Sequence, residues 1–197
     1  KIIAYNELGK AIVSALRNGI ESVDKITILP RSGSLSFGGY TKISPDEDTV
    51  SSGLISKKIL FSKIEIALAG RAAETVVFGE SEITQCSINN ISYATNIVRE
   101  MVTKYGFSIM GPISMESNIR DMPLGDGLFG RKPIIADNTS FRIDNEIIKI
   151  SKISLKNSIE ILKKNRVLLD KLVDILLNHE TIDKQLFKLT TSKLLKV

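Results

Sequence analysis

Apolar residues recur at intervals of three and four along most of this chain, and this periodicity constrains the fold more than any other feature. Such spacing places apolar side chains on one face of a helix. Two short segments instead alternate apolar and polar residues, which is typical of strands. We therefore expect a mainly α fold with a small β-sheet of two or three strands near the N-terminus. The helical pattern covers residues 2–18, 51–78, 87–105, 143–162 and 165–177, and the alternating pattern covers residues 23–29 and 35–43.

Residues 107–140 interrupt the helical pattern with several prolines and glycines. A connector of this length inside a compact domain is usually functional or mobile. The sequence therefore predicts three parts. Residues 1–106 form a mixed lobe with the small sheet, residues 107–140 form a long connector, and residues 141–197 form a C-terminal helical lobe.

The composition is that of an ordinary globular protein, with 43% hydrophobic and 25% charged residues. No apolar run approaches the roughly 18 uncharged residues that a membrane span requires. The first residue is Lys1 rather than methionine. We therefore expect a fragment or a processed product, with any membrane anchor or motor domain upstream of it.

The net charge of +5 does not by itself predict a nucleic-acid partner. Nucleic-acid surfaces cluster their cations, often with aromatic residues between them. Here the lysines are spread along the predicted helices and tryptophan is absent, which favours solvated helix faces. A basic adaptor for nucleic acid or anionic lipid remains an alternative, and strongly salt-dependent binding would identify it.

The chain has one cysteine, Cys86, and one histidine, His179. Catalytic zinc sites use three protein ligands, mainly His and Cys, plus a water. Two such residues so far apart in sequence cannot fill a common catalytic set without a carboxylate. We expect Cys86 to be a small buried filler and His179 to have a surface or capping role. The acidic run 46–48 is expected to be a solvated loop rather than a Mg²⁺ or Ca²⁺ site.

Residues 5–11 of the first predicted helix have the layout of a His-Glu-x-x-His motif. In that motif two histidines at i and i+4 bind one zinc ion, and the glutamate acts as general base on zinc-bound water. Here Asn6 and Lys10 occupy the histidine positions, and only Glu7 matches. Because a polar pair beside a glutamate is common on helices, this segment alone predicts no chemistry.

Further segments, in the same order along the chain, resemble the peptidase domain of FtsH-type AAA+ membrane zinc metalloproteases. The most specific is Gly-Arg-Ala-Ala-Glu at residues 70–74, followed by Phe-Gly at 78–79. No single segment is decisive, but together they cover nearly the whole chain and imply an FtsH peptidase-domain-like helical fold. The others are 26–31, 39–41, 82–84, 89–91, 105–108, 111–112, 143–144 and 180–182.

The resemblance places the family's three zinc ligands on Asn6, Lys10 and Asn90, and the catalytic glutamate on Glu7. All three ligand positions depart from the family pattern of two histidines and an aspartate. The residues just before the third position also differ, with Cys-Ser-Ile at 86–88 where the family has Gly-Ala-Ser. The resemblance therefore implies a degenerate member of the family.

These replacements remove the chemistry that the family uses. Asparagine is a weak zinc ligand, and a protonated lysine offers only donors and repels a cation. Without a metal, water keeps its bulk acidity, and Glu7 has no activated nucleophile to generate. We expect no zinc or other cofactor in this domain, with ATP bound upstream in the full protein. We further expect the Lys10 ammonium to replace the charge of the metal near Glu7 or Asn90; the alternative is that Lys10 extends into solvent.

The resemblance also implies an upstream AAA+ motor and a hexameric ring at a membrane. The leading hypothesis is an inactive scaffold domain in an ATP-driven complex for unfolding, translocation or quality control of proteins. It would form homo- or hetero-hexamers with FtsH-like subunits and meet unfolded protein substrates. Inactive members of the family occur in plastids, and the abundance of Ile, Lys and Asn is compatible with an organellar genome. The alternative is an active ATP-dependent zinc metalloprotease that uses unusual ligands, for instance from a neighbouring subunit.

Overall fold

The computed structural model describes residues 1–17, 21–30, 38–45, 51, 53–114 and 137–195. The expected mainly α fold with a small sheet is confirmed. Two single-turn 3-10 helices, Glu80–Glu82 and Gln85–Ser87, lie between the second and third α-helices. The α-helices are α1 (Ile2–Leu16), α2 (Lys57–Phe78), α3 (Ile88–Thr103), α4 (Asp137–Lys164), α5 (Arg166–His179) and α6 (Lys184–Leu195).

The sheet joins the two ends of the chain. Its strands are β1 (Glu21–Thr27), β2 (Tyr40–Pro45) and β3 (Thr181–Asp183), in the order β2-β1-β3. β1 pairs antiparallel with both neighbours. The third strand therefore comes from near the C-terminus, because the buried Ile182 pairs with Ile26 in the centre of the sheet.

Helix α2 lies between two hydrophobic clusters and contributes to both. One cluster combines α1, β1, α2 and α5, and it includes the fully buried Leu8 and Leu172. The other combines α2, α3 and α4, and it includes Ile64 and Met101. Both clusters contain residues from before and after the predicted connector, so the two predicted lobes share their cores.

The start of α2 differs from the prediction. The helical pattern begins at residue 51, but the helix begins at Lys57 because the Ser56 hydroxyl caps it, accepting a hydrogen bond from the Ile59 N–H at 3.3 Å. Leu54, which lies within the helical pattern 51–78, instead precedes the helix and is 79% exposed. The apolar pattern therefore starts before the helix does, because Ser56 sets where the helix begins.

The remaining boundaries shift by a few residues. β1 begins and ends two residues earlier than the predicted strand 23–29, and β2 continues to Pro45. α4 begins at Asp137, so residues 137–140 of the predicted connector are helical. Residues 115–136 of that connector, residues 35–37 of the second predicted strand and the acidic run 46–48 lie outside the described residues.

A membrane span requires a long and apolar helix. α4 is the longest of the described helices at 28 residues, and charged side chains interrupt it throughout. In the part of the chain that the structure describes, no helix combines the length and the apolar character needed to cross a bilayer.

Candidate functional site

Two glycines bring α1 and α2 into close contact at the motif. A Cβ atom on Gly9 would lie 2.7 Å from the carbonyl oxygen of Ala69 and from the Cβ of Ala73. A Cβ on Gly70 would overlap the side-chain amide of Asn6. Because neither position has room for a side chain, the backbones pack directly and place the motif residues of α1 against the Gly-Arg-Ala-Ala-Glu segment of α2.

Asn6 is at the centre of a buried polar network. Its side chain is almost completely enclosed, and its Nδ2 donates to Glu74 Oε1 at 2.6 Å and to Ser87 Oγ at 2.7 Å. Glu74 is fully buried, and its other oxygen accepts from the N–H and the hydroxyl of Thr84 at 2.7 and 2.9 Å. A buried carboxylate is costly unless it is hydrogen-bonded. Here three donors satisfy the Glu74 carboxylate, and the network connects α1, α2 and the 3-10 turn before α3.

Glu74 fixes the orientation of the Asn6 amide. The reverse orientation would place the amide oxygen against a carboxylate oxygen, and both atoms are acceptors. In the observed orientation Oδ1 faces Gly70, and it has no hydrogen-bond partner among the described residues. The donor end of the amide is thus used internally, and the acceptor end faces the backbone of α2.

Lys10 and Glu7 form a second, charged contact on α1. The Lys10 Nζ lies 2.7 Å from Glu7 Oε2, and the two side chains are only 13% and 8% exposed. The hydroxyl of Thr41, on β2, lies 2.7 Å from the same carboxylate oxygen and 3.0 Å from the Glu7 carbonyl oxygen, so its single proton is available to either. Lys10 therefore points towards the Glu7 carboxylate rather than into solvent, and Thr41 of β2 contacts Glu7.

The other residues singled out from the sequence take less part in these contacts. Asn90 is the third residue of α3 and is half-buried; it belongs to neither network as the described residues define them. Cys86 is half-buried rather than fully buried, and its N–H donates to the Thr84 hydroxyl at 3.3 Å. His179 is the exposed last residue of α5.

The described side chains do not fit a zinc ion at the motif. Catalytic zinc needs three ligands with nitrogen, sulfur or carboxylate donors and an open position for water. The Lys10 ammonium has no lone pair to offer, and the Asn6 oxygen faces Gly70. Over the described ranges, no group of three or more His, Cys, Asp or Glu side chains could hold a metal.

Sequence reasoning missed the residues that hold the motif in place. Glu74 was used only as a mark of resemblance, although an acidic residue one helical turn after a glycine in a segment of small residues is a signal for a buried contact. Thr41 and Ser87 gave no comparable signal, because a hydroxyl residue in a strand or turn is ordinary. Their roles depend on which elements pack together.

Comparison with known proteins supports the resemblance to the peptidase domain of FtsH-type proteases. The model for Peptidase family M41 matches residues 1–189. Three relatives, each named an ATP-dependent zinc metalloprotease of the FtsH type, match at 32–37% identity. They are FtsH of Trieres chinensis (37% over 188 residues, 95% of this chain and 28% of the relative), FtsH 3 of Synechocystis sp. (34% over 185 residues, 93% and 29%) and the chloroplastic FTSH 2 of Arabidopsis thaliana (32% over 196 residues, 100% and 27%).

The chain thus spans less than a third of the length of these curated relatives. The family match covers nearly the whole chain, and it confirms the resemblance that the sequence motifs indicated. This chain belongs to Peptidase family M41 and corresponds to the peptidase domain of FtsH-type proteases.

Proposed function

We propose that this domain is a catalytically inactive FtsH-like peptidase domain that acts as a ring-forming scaffold in an ATP-driven complex. One observation carries the proposal: the side chains at two of the inferred zinc-ligand positions are engaged inside the protein. Asn6 bonds to Glu74 and Ser87, and Lys10 bonds to Glu7. The Asn6 nitrogen donates both of these bonds while its oxygen faces Gly70, and the Lys10 ammonium has no lone pair, so neither side chain presents a ligand atom to a metal.

Without a metal, too little catalytic power remains for peptide hydrolysis. A positioned general base such as Glu7 contributes about 10²–10⁴-fold, whereas enzymes accelerate reactions by about 10⁶-fold or more. Lys10 replaces the charge of the metal in this proposal. In an active family member the two charges of zinc balance one aspartate and one glutamate; here the single charge of Lys10 balances Glu7. The site stays neutral, and the fold does not need the ion.

The internal packing of this domain does not require a metal, so a domain without cutting ability could still fold and assemble. The contact between α1 and α2 depends on Gly9 and Gly70 rather than on a metal. In this proposal the domain forms a homo- or hetero-hexamer with FtsH-like subunits, below an upstream ATPase that unfolds or translocates proteins at a membrane. The names of the relatives support the dependence on ATP, and the chloroplastic relative supports a plastid location.

The second candidate is an active ATP-dependent zinc metalloprotease that uses unusual ligands. The names of the relatives favour it, since each is called a zinc metalloprotease. It requires ligands from outside the described contacts, for instance from a neighbouring subunit. Stoichiometric zinc in the purified assembly would favour this candidate.

The test is casein degradation by the full-length, ATP-supplied assembly that contains this chain, with Glu7→Gln as the matched control. The proposal predicts no peptide release above the Glu7→Gln background, together with a native mass that corresponds to a ring. Degradation that Glu7→Gln abolishes would overturn the claim of inactivity. An inactive but monomeric full-length protein would overturn the scaffold role.

A further inference from the structure

Glu146 is a carboxylate on the core-facing side of α4 for which the described residues provide no partner. It lies between Ile143, Ile147 and Ile150, which pack into the second hydrophobic cluster, and it is itself only 7% exposed. Among the residues that the structure describes, none donates a hydrogen bond to its carboxylate or forms an ion pair with it. The carboxylate oxygens keep contact with solvent, so Glu146 presents an unpaired acceptor at the surface of an otherwise enclosed side chain.

Glu146 lines a cavity of about 410 Å³ between the start of α4 and the segment that follows α3. This volume is within the range of about 300–1,000 Å³ that is typical of ligand sites. Arg142 and Lys149 line the same cavity. They are four residues before and three residues after Glu146, so they share its helix face. The described contacts pair neither cation with the Glu146 carboxylate.

Apolar side chains complete the wall of this cavity. Phe141 is 67% exposed and Ile109 is 76% exposed, and both line it. Large exposed apolar side chains beside convergent polar groups are the usual composition of a recognition site. The cavity thus combines an acceptor-only carboxylate, two cations and an apolar surface within one short stretch of α4 and its neighbouring segment.

We propose that this cavity binds an extended peptide segment by inserting a lysine or arginine side chain towards Glu146. The carboxylate supplies the acceptor that such a cation needs. Arg142 and Lys149 would receive an acidic residue next to it, and Phe141 and Ile109 would contact an apolar one. The inference rests on the proposed function, because a domain that holds unfolded polypeptide without cutting it needs a binding site away from Glu7.

The test is fluorescence anisotropy on the full-length protein with a labelled peptide, Gly-Phe-Lys-Asp-Gly, and with its analogue carrying norleucine in place of lysine. A hydrogen bond to a charged group is worth about 1.5–3 kcal/mol, so the lysine peptide is expected to bind about tenfold more tightly or better. Glu146→Gln should abolish this preference. Glu160→Gln, an exposed glutamate of the same helix, should keep it.

Thermal unfolding separates binding from a structural role. Because Glu146 has no internal donor to lose, Glu146→Gln should leave the melting temperature unchanged or raise it. A melting temperature lowered by several degrees would overturn the proposal, as would equal binding of the two peptides or no binding by the wild type. Competition by free lysine amide at the same concentration as the peptide would overturn the assignment to polypeptide. Casein degradation would refute the proposed inactivity, but the binding of the lysine and norleucine peptides could still be compared.

Discussion

The side-chain amide nitrogen of Asn6 lies 2.6 Å from Oε1 of Glu74, a carboxylate with no exposed surface. In zinc enzymes a ligating histidine commonly donates its second ring N–H to a carboxylate, which orients the ring. In the proposed function Asn6 occupies the position of such a histidine. It provides an N–H to a carboxylate but has no second nitrogen to bind a metal, so it would keep the supporting contact without the ligand.

Asn6→Ala should destabilise the domain by about 1–3 kcal/mol, because it leaves a buried oxygen of Glu74 without its donor. The measurement is equilibrium denaturation in urea. Asn89→Ala, at an exposed position of α3, is the matched control and should change the free energy of unfolding by less than about 0.5 kcal/mol. Equal effects of the two substitutions would show that the contact with Glu74 adds no stability.

Gly70→Ala should destabilise the wild type by about 1–3 kcal/mol through steric overlap with the Asn6 side chain. In an Asn6→Ala background the overlap disappears, and the higher helix propensity of alanine should make the same change neutral or favourable. Gly9→Ala is the control, because its added Cβ would meet the carbonyl oxygen of Ala69, which Asn6→Ala does not move. Additive effects of Gly70→Ala and Asn6→Ala would contradict the predicted contact.

Lys10→Met should cost about 3 kcal/mol, the lower end of the range for breaking a buried ion pair, since both side chains keep some exposure. Of its partners among the described residues, the Glu7 carboxylate would then retain the Thr41 hydroxyl alone. Adding Glu7→Gln to Lys10→Met should recover most of the loss, because no uncompensated charge remains. If the double variant is as unstable as the sum of the single ones, Lys10 does not balance the charge of Glu7.

Acid should loosen the attachment of α6 to the sheet through Asp24. The register of β1 against β2 is irregular between Val23 and Lys25, and a bulge of this kind redirects a side chain. The hydrogen bond from Ser44 lowers the pKa of Asp24; burial opposes this shift, and Lys184, at 3.3 Å, adds to the lowering. A lowered folded-state pKa means that the stabilisation is present above the pKa of an unfolded aspartate, about 3.9, and is lost as pH falls through the folded value.

The melting temperature of the wild type should therefore fall more steeply below about pH 4 than that of Asp24→Asn, which lacks the titrating group. Asp144→Asn, at an exposed aspartate of α4, is the control and should follow the wild type. Parallel pH profiles for the wild type and Asp24→Asn would contradict the assignment to Asp24.

The helices and the family were predictable because periodic apolar faces and ordered motifs are local features of the sequence. The pairing of Ile182 with Ile26 was not predictable, because a three-residue strand has no periodicity and its partner is far away in the chain. The proposed loss of ligands at Asn6, Lys10 and Asn90 depends only on residue types, so the sequence alone could suggest it, and it stays a prediction. The role of Thr41 was not predictable, because it depends on β2 lying against α1.

The most direct test of the central claim is the zinc content of the full-length protein, measured by elemental analysis after purification without chelators. The variant Asn6→His/Lys10→His/Asn90→Asp is the positive control, because it restores the family's ligand types beside the Glu74 carboxylate. The account predicts far less than one zinc per wild-type chain and close to one per chain of the variant. Stoichiometric zinc in the wild type, lost together with casein degradation on chelation, would contradict it.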